Sequence, residues 1–130
     1  MTNKKRILIV DDEPSITQLL RLNLEKTGHY AVRAENVADR ALDALQEFNP
    51  DLILLDVMMP EMDGGQLAEK IQATRAFKHV PIVFLTAAVK QEEVDARDGM
   101  IGGFPYIAKP LNVRGVINVI EKNLLITTDS

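Results

Sequence analysis

Three acids in this chain stand where acids are costly. Ile7–Val10 is an unbroken, branched apolar run that ends in Asp11-Asp12, and Leu52–Leu55 is another that ends in Asp56. A carboxylate at the end of an interior strand has to meet a cation, because a bare buried charge is strongly unfavourable. Two further runs end in a hydroxyl and an ammonium: Val80–Leu85 leads into Thr86-Ala87-Ala88, and Phe104–Ala108 into Lys109-Pro110. Carboxylates, a hydroxyl and a lysine gathered at one rim would bind a hard cation and a phosphoryl group.

The elements that position these residues follow from periodicity. Acids and Pro14 suit a helix start, and Ile16, Leu19, Leu20 and Leu24 recur at helical spacing until Gly28. Tyr30–Ala34 alternates and predicts a second strand. Val37, Ala41, Leu42, Leu45 and Phe48 mark the next helix, closed by Asn49-Pro50. Met58–Gly64 is a loop punctuated by Pro60 and Gly64, and Leu67, Ala68 and Ile71 mark a third helix. A weakly patterned helix runs from about Lys90 to Asp98, and Val113, Val116, Ile117, Ile120 and Leu124 mark a fifth. Strand and helix therefore alternate five times, and continuous apolar strands imply a parallel sheet covered on both faces. The expectation is an α/β, doubly wound five-stranded parallel sheet of order 2-1-3-4-5, flavodoxin-like. No internal repeat or linker is visible, so residues 1–130 read as a single domain with its core over about 6–125.

In such a sheet the ligand crevice lies outside the strand C-termini where strand order reverses, between strands one and three. Asp11, Asp12 and Asp56 then share one rim. Like charges ~4 Å apart repel by roughly 4 kcal/mol at an effective dielectric of 20, so the rim needs compensation. There is no cysteine, and His29 and His79 lie in turn-like contexts elsewhere, which leaves oxygen ligands and favours Mg²⁺. Those three acids, one Mg²⁺ and Lys109 cancel in formal charge, a poised site with Asp56 as nucleophile. Ala87 and Ala88 leave room for an incoming group. Each residue alone also has a plainer role. An Asp after a strand forms turns or caps helices, Thr86 ends a strand, Lys109 is a solvated charge, and Tyr106 is core. The joint placement at strand ends is what favours a site. Met58, Met59 and Met62 flank the acid loop and suit either partner contacts or loop packing.

Composition narrows the class further. A net charge of −4, with Lys4-Lys5-Arg6 as the only basic cluster, gives no nucleic-acid surface. The absence of cysteine removes disulfides and thiolate chemistry. No apolar stretch approaches the ~20 residues of a membrane span, and Ile7–Val10 is too short for a signal peptide. A cytoplasmic protein that binds neither nucleic acid nor membrane is expected.

With "ILIVDDEP" at 7–14, "DLILLDVMMPEMDG" at 51–64, "PIVFLTA" at 81–87 and "YIAKP" at 106–110, the chain resembles a response-regulator receiver domain of two-component signalling from Arg6 to about Leu125. The resemblance implies that Asp56 accepts a phosphoryl group from a sensor histidine kinase or a histidine phosphotransfer protein. Asp12, Asp56 and the backbone carbonyl of Met58 would ligate Mg²⁺, with Asp11 acting through water. Thr86 and Lys109 would grip the phosphoryl oxygens, Tyr106 would turn inward as Thr86 moves, and Lys109–Pro110 would be cis. A downstream protein partner or an output domain missing from this chain would read the switch. A phosphorylation-dependent homodimer would use the fourth helix, fifth strand and fifth helix. One departure is "GGFPYIAKP" at 102–110, where Pro105 removes a donor from a strand expected at the sheet edge. Among rivals, a receiver used only for docking would lack site residues, and none is missing. A haloacid-dehalogenase-type phosphohydrolase wants a second acid where Met58 stands. An FMN carrier would need a phosphate loop where Asp11-Asp12-Glu13 would repel one.

Overall fold

The computed structural model describes residues 4–59, 63–88, 90–97, 99–101 and 103–128; Pro60, Met62 and Asp98 lie outside them. In chain order the elements are β1 (Lys5–Val10), α1 (Pro14–Lys26), β2 (Tyr30–Glu35), α2 (Ala41–Phe48), β3 (Leu52–Asp56), α3 (Gly64–Ala73), β4 (Ile82–Thr86), α4 (Gln91–Ala96), β5 (Met100–Ile101), β6 (Phe104–Ala108) and α5 (Val113–Thr128). Single 3₁₀ turns at Ala38–Arg40 and Arg75–Phe77 precede α2 and β4.

The sheet order is β2-β1-β3-β4-β6-β5. The five longer strands are parallel and run in the expected order, β6 being the fifth strand expected from the sequence. Because successive strand side chains point to opposite faces, each apolar run is divided between two cores. Leu8, Val10, Ile53 and Leu55 pack with α2 and α3 on one face. Ile7, Ile9, Leu52 and Leu54 pack with α1 and α5 on the other. That double burial is why these runs are continuously apolar, and it stiffens the strands whose ends carry the acids.

One expectation is corrected. β6 is not an open edge: β5 pairs with it antiparallel, setting Met100 opposite Pro105 and Ile101 opposite Phe104. The reversal runs through Gly103, at φ +86°. Pro105 lacks a donor, and the β4–β6 ladder begins only at Phe84–Tyr106, one residue further on. Tyr106 in turn donates its N–H to the Gly99 carbonyl at 2.9 Å. α4 is a short helix with Val94 as its one buried residue, in line with its weak apolar pattern.

Candidate functional site

The three loops after β1, β3 and β4 are built by the same local device. A strand-end side chain accepts the amide two residues on: Glu13 N–H to Asp11 Oδ1 at 2.9 Å, Met58 N–H to Asp56 Oδ1 at 3.1 Å, and Ala88 N–H to Thr86 Oγ1 at 3.0 Å. Such turns are what Asp and Thr ordinarily do after strands. Here the device uses one oxygen of each carboxylate and leaves the other for the crevice. The turn-forming role and the site role are therefore two halves of the same side chain.

The free halves converge on Lys109. Its Nζ lies 2.9 Å from Asp11 Oδ2 and 3.6 Å from Asp56 Oδ2, and its side chain is only 10% exposed. It is thus a part of the interior rim, not a solvated surface charge. Its backbone N–H donates to the Thr86 carbonyl at 2.8 Å, so β4 sets where the lysine starts. The Lys109–Pro110 bond is cis, as the resemblance implied. Thr86 and Asp56 are themselves buried, on neighbouring strands in which Asp56 pairs with Leu85.

Two further groups fix the acids. Asn36 donates from Nδ2 to the Asp11 carbonyl at 2.7 Å and to Thr17 Oγ1 at 3.0 Å, tying the β1 loop to α1 and to the end of β2. Gly64 opens α3 so close to β3 that a Cβ there would come 2.5 Å from the Asp56 carbonyl oxygen. Sequence reasoning missed Asn36, whose only sequence signal is its place just after β2.

It also missed the role of Glu13, read there as one of the acids that open a helix and would repel a phosphate loop. Asp11, Asp12, Glu13 and Asp56 each offer a ligand oxygen, and these atoms all lie within 4.8 Å of one another. Glu13 Oε1 is 2.8 Å from Lys109 Nζ. The cluster thus holds four carboxylates, not three, and Glu13, Asp11 and Asp56 lie 2.8, 2.9 and 3.6 Å from the one ammonium. The neutral sum expected from the sequence is corrected to an excess of one negative charge with a divalent ion present.

The electrostatics reflect this crowding. Burial pushes the Asp56 carboxyl up to about 6; the Met58 N–H opposes that rise, the Asp11 charge adds to it and Lys109 opposes it. For Lys109, burial works against the ammonium, but hydrogen bonding to Glu13 and Asp11 and the charges of Asp11 and Asp56 outweigh it and hold the group above its ordinary value. Asp11 Oδ2 is fully buried, and the Lys109 ammonium at 2.9 Å is the partner it has among the described residues. A buried carboxylate oxygen with one ammonium beside it, among other hard oxygen donors within 4.8 Å, fits Mg²⁺, which takes such ligands while keeping waters.

Tyr106 stands apart from the acids. It packs over Phe84 with ring centroids 5.0 Å apart, is half-buried, and borders a cleft of about 500 Å³ beside α3 and a second of about 300 Å³ between α4 and α5. His29 and His79 are exposed and remote from the cluster. Met59 is buried, which supports loop packing, whereas Met58 is 66% exposed.

Sheet order and the acids at the strand ends define a doubly wound α/β domain of the receiver class, and comparison with known proteins agrees. The profile of the response regulator receiver domain matches residues 7–121, and the chain belongs to that family. It is 40% identical over 113 residues to the alkaline phosphatase synthesis transcriptional regulatory protein PhoP of Bacillus subtilis (86% of this chain, 45% of that protein). It is 43% identical over 117 residues to the transcriptional regulatory protein ResD of the same organism (89% and 46%). The chain spans about half the length of the curated relatives it matches. Among solved structures, a CheY-like receiver domain protein from Methanospirillum hungatei JF-1 superposes with a TM-score of 0.81 at 29% identity, covering 98% of both chains. A response regulator from Chloroflexus aurantiacus J-10-fl gives 0.80 at 28%, covering 95% of this chain and 99% of that one. No helix among the described residues is long and apolar enough to cross a membrane.

Proposed function

We propose that residues 1–130 act as one phosphoacceptor domain in which Asp56 takes a phosphoryl group from a histidine kinase or a histidine phosphotransfer protein. The observation that carries this reading is Lys109 Nζ held between Asp11, at 2.9 Å, and Asp56, at 3.6 Å, at the exit of β3. Asp56 Oδ2 attacks phosphorus, a P–O bond forms, and the bond to the donor nitrogen breaks with its electron pair left on the imidazole. Asp56 Oδ1 stays on the Met58 N–H, which fixes the plane of the attacking carboxylate. Lys109 meets the charge that develops on the transferring oxygens, and the Thr86 hydroxyl has its proton free to donate to one of them. Asp12, Asp56 and the Met58 carbonyl would hold Mg²⁺ directly and Asp11 would hold it through water; the ion supplies charge neutralisation of the phosphoryl oxygens.

Movement of Thr86 toward the phosphoryl oxygens re-aims the loop after β4, and Tyr106, which lines both clefts, is the aromatic that turns with it. α4, anchored through Val94, is the element cheapest to displace. The downstream reader is a protein partner or an output domain, and the α4–β6–α5 face is the surface through which two phosphorylated copies would pair. The domain acts inside the cytoplasm and turns over only its own phosphoryl group. Intact mass after treatment with acetyl phosphate and Mg²⁺ tests the reading. Wild type gains one phosphoryl group and Asp56→Asn gains none; equal gain in both, or gain in neither, overturns it.

A further inference from the structure

Glu13 is the one member of the acid cluster to which the phosphoryl reading gives no task. It directly precedes α1, yet its side chain makes no capping hydrogen bond. The carboxylate reaches instead across 96 positions of sequence to Lys109, at 2.8 Å. That is the shortest of the three carboxylate distances around the ammonium, and Asp56 is the longest at 3.6 Å. Lys109 therefore leans toward Glu13 and Asp11 and away from the residue it has to serve. To grip a group on Asp56 it must loosen one of those two partners. Asp11 is fully buried and pinned by the Glu13 amide, whereas the Glu13 side chain is 54% exposed and can swing into water.

Resting on the reading of Asp56 as phosphoacceptor, we propose that Glu13 is a positioning residue that holds Lys109 back from Asp56 and competes with the phosphoryl group for its ammonium. It thereby sets how tightly the modified state is held. A salt bridge with one half-exposed partner shifts an equilibrium by about two- to fivefold, a tuning effect and not an on–off one.

The test is the affinity for beryllofluoride in saturating Mg²⁺, followed by amide NMR, in wild type, Glu13→Gln and Glu13→Asp. Glu13→Gln removes the charge. Glu13→Asp keeps the charge but draws it back by one methylene, out of reach of Lys109. Both variants are expected to bind about two- to fivefold more tightly than wild type. The same Glu13→Gln change in a Lys109→Ala background is expected to give no gain. Tightening by Gln but not by Asp would mean that Glu13 acts as a local negative charge and not through Lys109, and would overturn the proposal. So would an equal gain without Lys109, or no change in either variant. Wild type that binds no beryllofluoride at all would overturn the phosphoacceptor reading itself and this proposal with it, a result distinct from tight binding that is indifferent to Glu13.

Discussion

Gly64 and Asp56 are in backbone contact: a Cβ built on Gly64 would sit 2.5 Å from the Asp56 carbonyl oxygen and 2.7 Å from the next Cα. The Gly64 N–H also donates to the Val57 carbonyl at 2.7 Å, so the start of α3 is fastened to the loop that follows β3. No flexible side chain lies between the two that could yield, and any added atom has to push the site loop itself.

Gly64→Ala is therefore expected to destabilise. Replacing a helical glycine ordinarily stabilises by about 0.4–1 kcal/mol. Forcing an atom into close-packed backbone costs about 1–3 kcal/mol, so the clash outweighs the gain in helix propensity. Urea unfolding should show a net loss of stability, and a Mg²⁺ titration should show weaker binding because Asp56 is displaced. Unchanged stability with unchanged Mg²⁺ binding would contradict the contact.

Asp56→Asn is expected to stabilise the metal-free protein. Asp56 stands in a cluster of four carboxylates, and burial pushes its carboxyl up to about 6. Removing its charge relieves first the burial of a carboxylate and second its repulsion by Asp11, together worth about 1–2 kcal/mol. Chemical melts in EDTA should place the variant above wild type, and added Mg²⁺ should narrow or reverse the difference, because wild type alone keeps the full ligand set. A variant less stable than wild type in EDTA would contradict this account.

Thr86→Ala is expected to leave phosphoryl uptake by Asp56 largely intact while weakening the conformational response. A hydrogen bond to a charged group is worth about 1.5–3 kcal/mol, which shifts a two-state ratio by roughly ten- to a hundredfold. Amide chemical-shift changes around Tyr106 and α4 on adding beryllofluoride and Mg²⁺ should shrink in Thr86→Ala and return in Thr86→Ser. Full-sized changes in Thr86→Ala would remove the hydroxyl from the switch.

The two tyrosines report on alkaline stability. Burial raises both phenols above their ordinary value, assisted by Glu121 at Tyr30 and by Asp63 at Tyr106. The unfolded chain loses these protons near pH 10 while the folded chain keeps them, so stability present below about pH 10 is lost as pH rises through the folded values. With two tyrosines and no tryptophan, absorbance near 295 nm reads the titration cleanly. At pH 10 folded protein should show less tyrosinate than urea-unfolded protein, in which about half the tyrosine is ionised; equal signals would contradict the burial.

Much of this molecule was legible before any coordinate. The runs Ile7–Val10 and Leu52–Leu55 announced doubly buried parallel strands, and strand order then required their terminal acids to share a rim. The structure does bring Asp11, Asp12, Asp56 and Lys109 together there. Local pattern also revealed the weakness of α4, since apolar spacing measures how much surface a helix can bury.

The amino-acid order by itself determined which side chains lie at the strand exits, because burial is written in local periodicity. Only the tertiary structure decided what each of them does there. Lys109 proved to be interior, Pro105 proved to lie opposite Met100 of a short antiparallel strand, and Glu13 turned from its helix toward a lysine 96 positions away. The partner that a long charged side chain chooses depends on which distant backbone arrives beside it, and no spacing along the chain encodes that distance.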